Sequence, residues 1–149
     1  LERSNAAILR TTDGGATWSE VYRSRNLLEL CWKMSFPSPR VGYATIQNND
    51  DQHAAQRVVK TIDAGATWRE LPLVEDAEIR ELGIGFLDER RGWVGTSKGG
   101  YETLDGGRTW RSAEFGQSVN TIRSLRNGRR FTAYAIGLNV ARTDGTSPT

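Results

Sequence analysis

Apolar residues along this chain form short runs separated by polar turns, and few stretches repeat them at helical spacing. Runs such as 42–46 and 92–96 are rich in aromatic and β-branched residues, which favour strands. The pairs Ile8-Leu9 and Val58-Val59 are apolar at adjacent positions, so both faces of such a strand are apolar. Strands of this kind belong to sheets that are covered on both sides. The pattern therefore predicts an all-β protein built from stacked sheets.

An eight-residue phrase occurs three times and arranges these strands into repeated units. It reads TTDGGATW at 11–18, TIDAGATW at 61–68 and TLDGGRTW at 103–110. A phrase repeated with this spacing indicates tandem structural repeats.

A second landmark, a small residue followed by an aromatic one, recurs at a constant distance from the phrase. It starts at Gly42, Gly92 and Ala133, which are 29, 29 and 28 residues after the Asp of the preceding phrase. The phrase aspartates themselves are 50 and 42 residues apart, so the variation lies in the polar segment 47–56. A constant core with one enlarged loop is typical of tandem units.

Each unit is predicted to contain four strands, with the phrase in the hairpin between the third and the fourth. The predicted strands are 7–11, 18–22, 33–36, 42–46, 58–61, 68–73, 82–86, 92–96, 100–103, 110–115, 121–125, 131–136 and 140–143. This count gives two strands at the start, two complete units and three strands at the end.

Each constant position of the phrase has a structural explanation. Gly allows the positive φ of a tight turn, and the Asp oxygens can accept several N–H groups, with the Thr hydroxyls completing the network. Trp can wedge between sheets while its indole N–H donates to a carbonyl. Carboxylate pairs also catalyse glycoside hydrolysis, but three copies in one local context favour a structural role. The predicted structural residues are Thr11, Asp13, Gly15, Thr17, Trp18, Thr61, Asp63, Gly65, Thr67, Trp68, Thr103, Asp105, Gly107, Thr109 and Trp110.

These phrases resemble the Asp-box, or BNR repeat, S/T-x-D-x-G-x-T-W, at every signature position. The unit as a whole, with its Phe, Gly-Trp and phrase, looks most like the repeats of photosystem II stability/assembly factor-like proteins, and more distantly like those of sialidase-type propellers. The resemblance implies a β-propeller of four-stranded blades in which the box is structural and lies away from the functional centre. The end of the chain departs from the pattern, because neither Trp nor a fourth strand follows Asp144-Gly145.

The predicted propeller region covers the whole chain, as a partial blade 1–30, blades 31–75 and 76–117, and a partial blade 118–149. About three blades cannot close a ring, since propellers usually need four to eight. The chain is therefore expected to be part of a longer propeller or to complete a ring by oligomerisation, for which a homodimer would give six blades.

The enlarged loop is the predicted recognition site, because loops on a rigid scaffold often bind ligands. In propellers of this kind it shares a face with the connections between units, opposite the boxes. The candidate binding residues are Asp50, Asp51, His53, Arg57, Arg25 and Arg80, although a solvated loop explains the same polar residues. The spacing fits no calcium loop, and no metal or cofactor is predicted.

Arginines also recur in the turns between the first and second strands of successive units. If these turns share one rim, the arginines form an arc of positive potential that could dock an acidic partner; ordinary soluble turns explain them equally. The arginines are Arg40, Arg90, Arg91, Arg129 and Arg130.

Composition narrows the function only slightly. The net charge of +2 is too small to indicate nucleic-acid binding, and no apolar run is long enough to cross a bilayer. The excess of 17 Arg over 3 Lys reflects either codon usage or a guanidinium surface. Cys31 is the single cysteine, so the chain forms no internal disulfide, and its apolar neighbours indicate a buried, inert thiol.

The predicted function is a non-catalytic propeller scaffold for protein binding or complex assembly. The alternative is a carbohydrate-active module, either a sialidase-like glycosidase or a glycan-binding propeller. Residues 95–99 match G-x-S-x-G, but a nucleophile elbow needs a following helix and a later His, so a hairpin turn is predicted there and no catalytic residue is assigned. The residues leave the cellular location open, and the resemblance favours an extracytoplasmic or periplasmic one.

Overall fold

The computed structural model describes residues 5–50, 52 and 55–146. Within these ranges the chain contains strands and turns but no helix, so the predicted all-β class is confirmed. The strands are β1 (Ala7–Arg10), β2 (Ser19–Arg23), β3 (Glu29–Ser35), β4 (Gly42–Asn48), β5 (Ala55–Thr61), β6 (Arg69–Glu75), β7 (Glu81–Phe86), β8 (Gly92–Thr96), β9 (Gly100–Thr103), β10 (Arg111–Ala113), β11 (Thr121–Asn127), β12 (Arg130–Ile136) and β13 (Val140–Thr146).

The strands pair in chain order into four antiparallel sheets. Sheet 1 consists of β1 and β2, sheet 2 of β3 to β6, sheet 3 of β7 to β10, and sheet 4 of β11 to β13. The described strands therefore group as two, four, four and three. The predicted bounds of the blades stay a prediction.

Three apolar clusters hold successive sheets together. Ile8 and Val59 belong to the cluster between sheets 1 and 2, whereas Val58, Tyr43 and Phe86 belong to the cluster between sheets 2 and 3. The adjacent residues Val58 and Val59 are both fully buried, and they point into different clusters. This explains why the strand is apolar at consecutive positions: sheet 2 is covered on both faces.

The strands next to the enlarged loop extend further than the apolar pattern indicated. β4 continues to Asn48 and β5 begins at Ala55, because polar residues there are paired and buried: Asn48 is 2% exposed and Gln56 1%. The Asn48 N–H donates to the side chain of Gln56 at 3.4 Å. Six residues, 49–54, therefore separate the two strands, fewer than the predicted segment 47–56 contains.

The last strand also differs from its predicted extent. Thr143 pairs with Ala133 in the register in which Thr61 pairs with Gly42 and Thr103 with Gly92. Two residues after Thr143 stands Gly145, where the phrases have Asp. With no carboxylate at that position to gather the turn amides, β13 runs on to Thr146.

No helix among the described residues is long and apolar enough to cross a membrane.

Candidate functional site

The turn formed by each phrase is held by the same side-chain hydrogen bonds. The first Thr hydroxyl donates to the Asp carboxylate at 2.8–2.9 Å and accepts from the Gly N–H at 2.9 Å. The Asp accepts from the second Thr, through its N–H at 2.9–3.0 Å and its hydroxyl at 2.6 Å. The residues involved are Thr11, Asp13, Gly15 and Thr17; Thr61, Asp63, Gly65 and Thr67; and Thr103, Asp105, Gly107 and Thr109.

These bonds stabilise the ionised carboxylates. The Thr67 hydroxyl and N–H lower the pKa of Asp63 from 3.8 to about 2, and the pKa of Asp13 is lowered by Thr17 in the same way. For Asp105, desolvation raises the pKa, but the hydrogen bonds from Thr109, Thr103 and Arg108 together outweigh it and bring the pKa to about 2. A carboxylate held this firmly in its ionised form is unsuited to general acid catalysis at neutral pH.

The backbone of each turn is left-handed at two consecutive positions. The phrase glycine has a φ of 80° at Gly65, as predicted, and the residue before it, Ala64, has a φ of 60°. The same pair in the third copy has values of 75° at Gly106 and 83° at Gly107. The second left-handed position was not predicted, because Ala gives no sign of it.

The three phrase tryptophans have different surroundings. Trp68 donates its indole N–H to the Gly65 carbonyl at 3.2 Å and meets Phe36 edge-on at 6.0 Å between ring centroids. Trp110 meets Phe86 edge-on at 6.3 Å, but its buried N–H has no partner among the described residues. Trp18 is 59% exposed. The phrase thus gives one local turn, while the neighbouring sheet decides how far the Trp is buried.

The enlarged loop lies at the end of the sheets opposite the phrase turns, as the antiparallel order of the strands requires. The Asn49 N–H donates to the Leu28 carbonyl at 2.9 Å, which ties this loop to the connection between sheets 1 and 2. At the other end, the Ala64 N–H donates to the Arg40 carbonyl at 2.9 Å. The two ends of the molecule therefore present different sets of loops.

A pocket of about 320 Å³ lies where the enlarged loop meets the connection between sheets 1 and 2. It is lined by Arg25, Asn26, Leu27, Asn48 and Asp50. The structure thus brings together two predicted binding residues, Arg25 and Asp50. Two others, Asp51 and His53, lie outside the described residues.

The remaining two predicted binding residues are engaged elsewhere. Arg57 forms ion pairs with Glu29 and, at 3.3 Å, with Glu70, and its side chain is 15% exposed. The Arg80 guanidinium donates to the carbonyls of Ala77 and Ile79. Neither lines the pocket that contains Arg25 and Asp50.

A buried acidic cluster beneath this end was not predicted. Glu29 and Glu81 are both fully buried, and the Glu81 carboxylate has no side-chain hydrogen-bond partner among the described residues. Burial raises the pKa of Glu81 well above its usual value of 4.5. Burial and, second, the charge of Glu81 raise the pKa of Cys31 to about 11, so this thiol is inert at neutral pH. The dipeptide Glu-Leu, which opens both β3 and β7, is the sequence signal that could have found the cluster.

One of the five arginines in the predicted arc is held by neighbouring side chains. Arg91 donates to Glu102 at 3.0 Å, and its guanidinium lies 5.3 Å from the ring centre of Trp93 and 4.8 Å from that of Phe131. Arg91 therefore links sheet 3 to sheet 4 through these contacts. The other four, Arg40, Arg90, Arg129 and Arg130, are exposed.

The G-x-S-x-G match at 95–99 lies in a hairpin. Residues 95–99 comprise the end of β8 and the turn 97–99 that leads to β9, closed by the Thr96 N–H donating to the Gly99 carbonyl at 2.8 Å. In the described ranges, no group of three or more His, Cys, Asp or Glu side chains could hold a metal ion.

Comparison with solved structures identifies the fold. The chain is similar to YCF48 bound to D1 peptide, with a TM-score of 0.58 and 22% identity over 78% of this chain and 38% of that one. It shares the fold of YCF48. A second match, YCF48 from Cyanidioschyzon merolae, has a TM-score of 0.64 and 17% identity over 95% of this chain and 45% of that one. The predicted resemblance to photosystem II assembly factor-like β-propellers is thus confirmed at the level of the fold.

This chain spans less than half the length of the YCF48 chains that it matches. Neither known protein families nor curated proteins give a match to its sequence.

Proposed function

We propose that this chain is a non-catalytic β-propeller scaffold that binds a protein partner during complex assembly. The observation that carries the proposal is the shared fold with YCF48, which has been solved bound to D1 peptide. Fold alone does not define function, so the proposal also depends on the pocket that contains Arg25.

This pocket supplies the groups that a peptide needs. Arg25 is exposed and can pair with a carboxylate, and Leu27, which is 44% exposed, adds an apolar surface. The bond between Asn49 and Leu28 fixes the two loops relative to each other, which lowers the entropy lost on binding. We place the partner site at this end of the sheets, opposite the phrase turns.

The three phrases act as structural Asp-boxes in this proposal. Three turns with matching side-chain bonds, together with the lowered pKa of all three Asp residues, support a role in holding hairpins rather than in binding. The partners of the chain include a second copy of itself, which would complete a ring of about six blades.

Binding can be tested by fluorescence anisotropy with the D1 peptide and with peptides selected from a random library. We expect saturable binding of a peptide, weakened at least about tenfold by Arg25→Ala, since charge-assisted hydrogen bonds stabilise by roughly 1.5–3 kcal/mol. Arg90→Ala, which removes an exposed arginine at the opposite end, is the matched control. Weakening in Arg90→Ala alone would move the site to the arginine arc. Binding on a glycan array without any peptide binding would contradict the proposal.

A further inference from the structure

A cavity of about 220 Å³ lies between sheets 3 and 4, next to the free edge of β13. Its walls come from both sheets; they are mostly apolar and continuous with the cluster that joins the sheets, with Glu114, Arg142 and Thr143 as the polar lining. The residues that matter here are Trp93, Phe115, Ile122, Ala135 and Ala141.

The complete sheet 3 shows which side chains occupy the corresponding positions, because sheets 3 and 4 have the same pairing register. Val94 pairs with Tyr101 in sheet 3, and Ala135 pairs with Ala141 at the same positions of sheet 4. Tyr101 and, from the turn before the fourth strand, Trp110 pack into the cluster between sheets 2 and 3. Sheet 4 has Ala141 in place of Tyr101, and no fourth strand or Trp among its described residues. The cavity therefore lacks one side chain on the third strand and one Trp before the fourth.

Sheet 1 carries two exposed side chains that match these two positions. Trp18 closes the first phrase, as Trp110 closes the third, but it is 59% exposed. Leu9 stands two residues before the first Thr of its phrase, as Tyr101 does, and it is 55% exposed. Both belong to a hairpin, β1 and β2, that already has the geometry of a third and a fourth strand.

We propose that Leu9 and Trp18 of a second copy of this chain fill the cavity. In this arrangement β1 and β2 of one copy replace β13 of the other, with Thr11 opposite Ala133 and Leu9 opposite Ala135. This register is the one in which Thr103 faces Gly92 and Tyr101 faces Val94.

Among the third strands of sheets 2, 3 and 4, β13 is the one most easily displaced. None of its described residues is buried, and Val140 is 70% exposed. By contrast, β5 and β9, which hold the same place in sheets 2 and 3, are mostly buried. Replacing β13 therefore uncovers little apolar surface, while the incoming hairpin covers Leu9 and Trp18.

A second copy fits better than closure within one chain. Without β13, each copy has twelve described strands, which make three four-stranded blades. Three blades are fewer than a ring usually contains, whereas two copies give six.

The same exchange explains a second set of exposed residues. Sheet 1 covers only part of sheet 2, and Trp32 and Met34 on β3 are 50% and 49% exposed. Strands β11 and β12 of the other copy would lie inside β1 and β2, next to β3. They bring Leu125, which is 66% exposed, to this surface. In an arrangement with twofold symmetry, the cavity and the exposed face of β3 are covered on both copies.

Light scattering of the 149-residue chain over about a hundredfold range of concentration tests this inference. We expect a dimer whose dissociation constant rises at least about tenfold in Trp18→Ala, because buried Trp residues dominate interfaces. Ile62→Ala is the matched control: Ile62 is 58% exposed but belongs to the phrase turn of sheet 2, away from the cavity, and its removal should leave the dimer unchanged.

Ala141→Tyr tests the cavity from the other side. It restores the residue that sheet 3 has at this position, fills the space from within the chain and holds β13 in place. We expect a monomer with a raised melting temperature. Cooperative melting of each variant by circular dichroism confirms that it is folded.

A monodisperse wild-type monomer would overturn the inference, and so would aggregates of undefined size. A dimer with the same dissociation constant in Trp18→Ala would overturn the insertion of Trp18. The inference depends on the proposed propeller scaffold, but the two can fail separately. Peptide binding by a monomeric Trp18→Ala variant supports the scaffold alone, and a Trp18-dependent dimer that binds no peptide supports the exchange alone.

Discussion

Gly92 lies beneath the ring of Phe86, so close that a β-carbon at Gly92 would stand 2.4 Å from the ring. The ring cannot move away freely, because its other face stacks on Tyr43 at 3.6 Å between centroids. The small residue that opens the second strand of sheet 3 is thus required by the packing of Phe86 from the strand before it.

Gly92→Ala is therefore expected to destabilise the protein by about 1–3 kcal/mol, the usual cost of overpacking a core. Gly42→Ala is a matched comparison. A β-carbon there would stand 2.5 Å from Phe36, but Phe36 is 45% exposed and can turn toward solvent. Urea unfolding of both variants should show the larger loss for Gly92→Ala; equal losses would contradict the role of the stack.

Asp63→Asn is expected to lower the melting temperature, because a neutral amide cannot accept the same bonds from Thr61 and Thr67. The pKa of Asp63 is lowered from 3.8 to about 2 in the folded protein, so its stabilisation is present above pH 3.8 and is lost as the pH falls through about 2. The difference in melting temperature between wild type and variant should therefore shrink on acidification over this range. A difference that stays constant would show that the charge of Asp63 contributes nothing.

Much of this fold follows from local pattern. The periodic phrase, the small residue before an aromatic and the doubly apolar strands were enough to predict the sheets. What the pattern could not give is where polar residues continue a strand. Asn48 and Gln56 are polar, yet they are buried because each bonds within the paired strands or to the Asp76 carbonyl.

The site was harder to predict, because a position on a loop does not fix the direction of a side chain. Arg25 and Asp50 line one pocket, but Arg57 is drawn into the sheet by Glu29, which lies 28 residues away in the chain. Glu81 is the clearest miss: a charged residue at a strand end usually faces water, and only the stacking of sheets 2 and 3 buries it.

Glu81→Gln is expected to stabilise the protein at neutral pH. The pKa of Glu81 is raised in the folded state, so its contribution is fully present below the unfolded value of 4.5 and is lost as the pH rises toward the folded value. Glutamine has nearly the same shape and cannot ionise, so the variant should gain stability over wild type as the pH rises above 4.5. Glu75→Gln, at an exposed position, is the control. A variant that is less stable than wild type at every pH would show that the carboxylate is ionised and paired.

Replacing 49–54 with a short Gly-containing turn copied from 97–99 should leave the fold intact, because loop length has little effect on stability. Extending the replacement to 48–56 should lower the melting temperature, since it removes the buried Asn48 and Gln56. Circular dichroism melts of the two variants provide the comparison. If the shorter replacement already unfolds the protein, the loop itself packs against the sheets.

Trp68 and Trp18 occupy the same phrase position, and their substitution separates the stability of one sheet from the contact between copies. Trp68 is partly covered, meets Phe36 edge-on and bonds the Gly65 carbonyl, so Trp68→Ala should destabilise by about 2–4 kcal/mol, somewhat less than for a fully buried Trp. Trp18 is 59% exposed within one copy, so Trp18→Ala should cost less than about 1 kcal/mol when measured at a concentration where the chain is monomeric.

At higher concentration the wild type gains stability from association and the Trp18→Ala variant does not, so the difference in stability between them should widen with concentration. A gap that is large in the dilute monomer would mean that Trp18 is held by its own sheet, and a gap that never widens would mean that it remains in solvent.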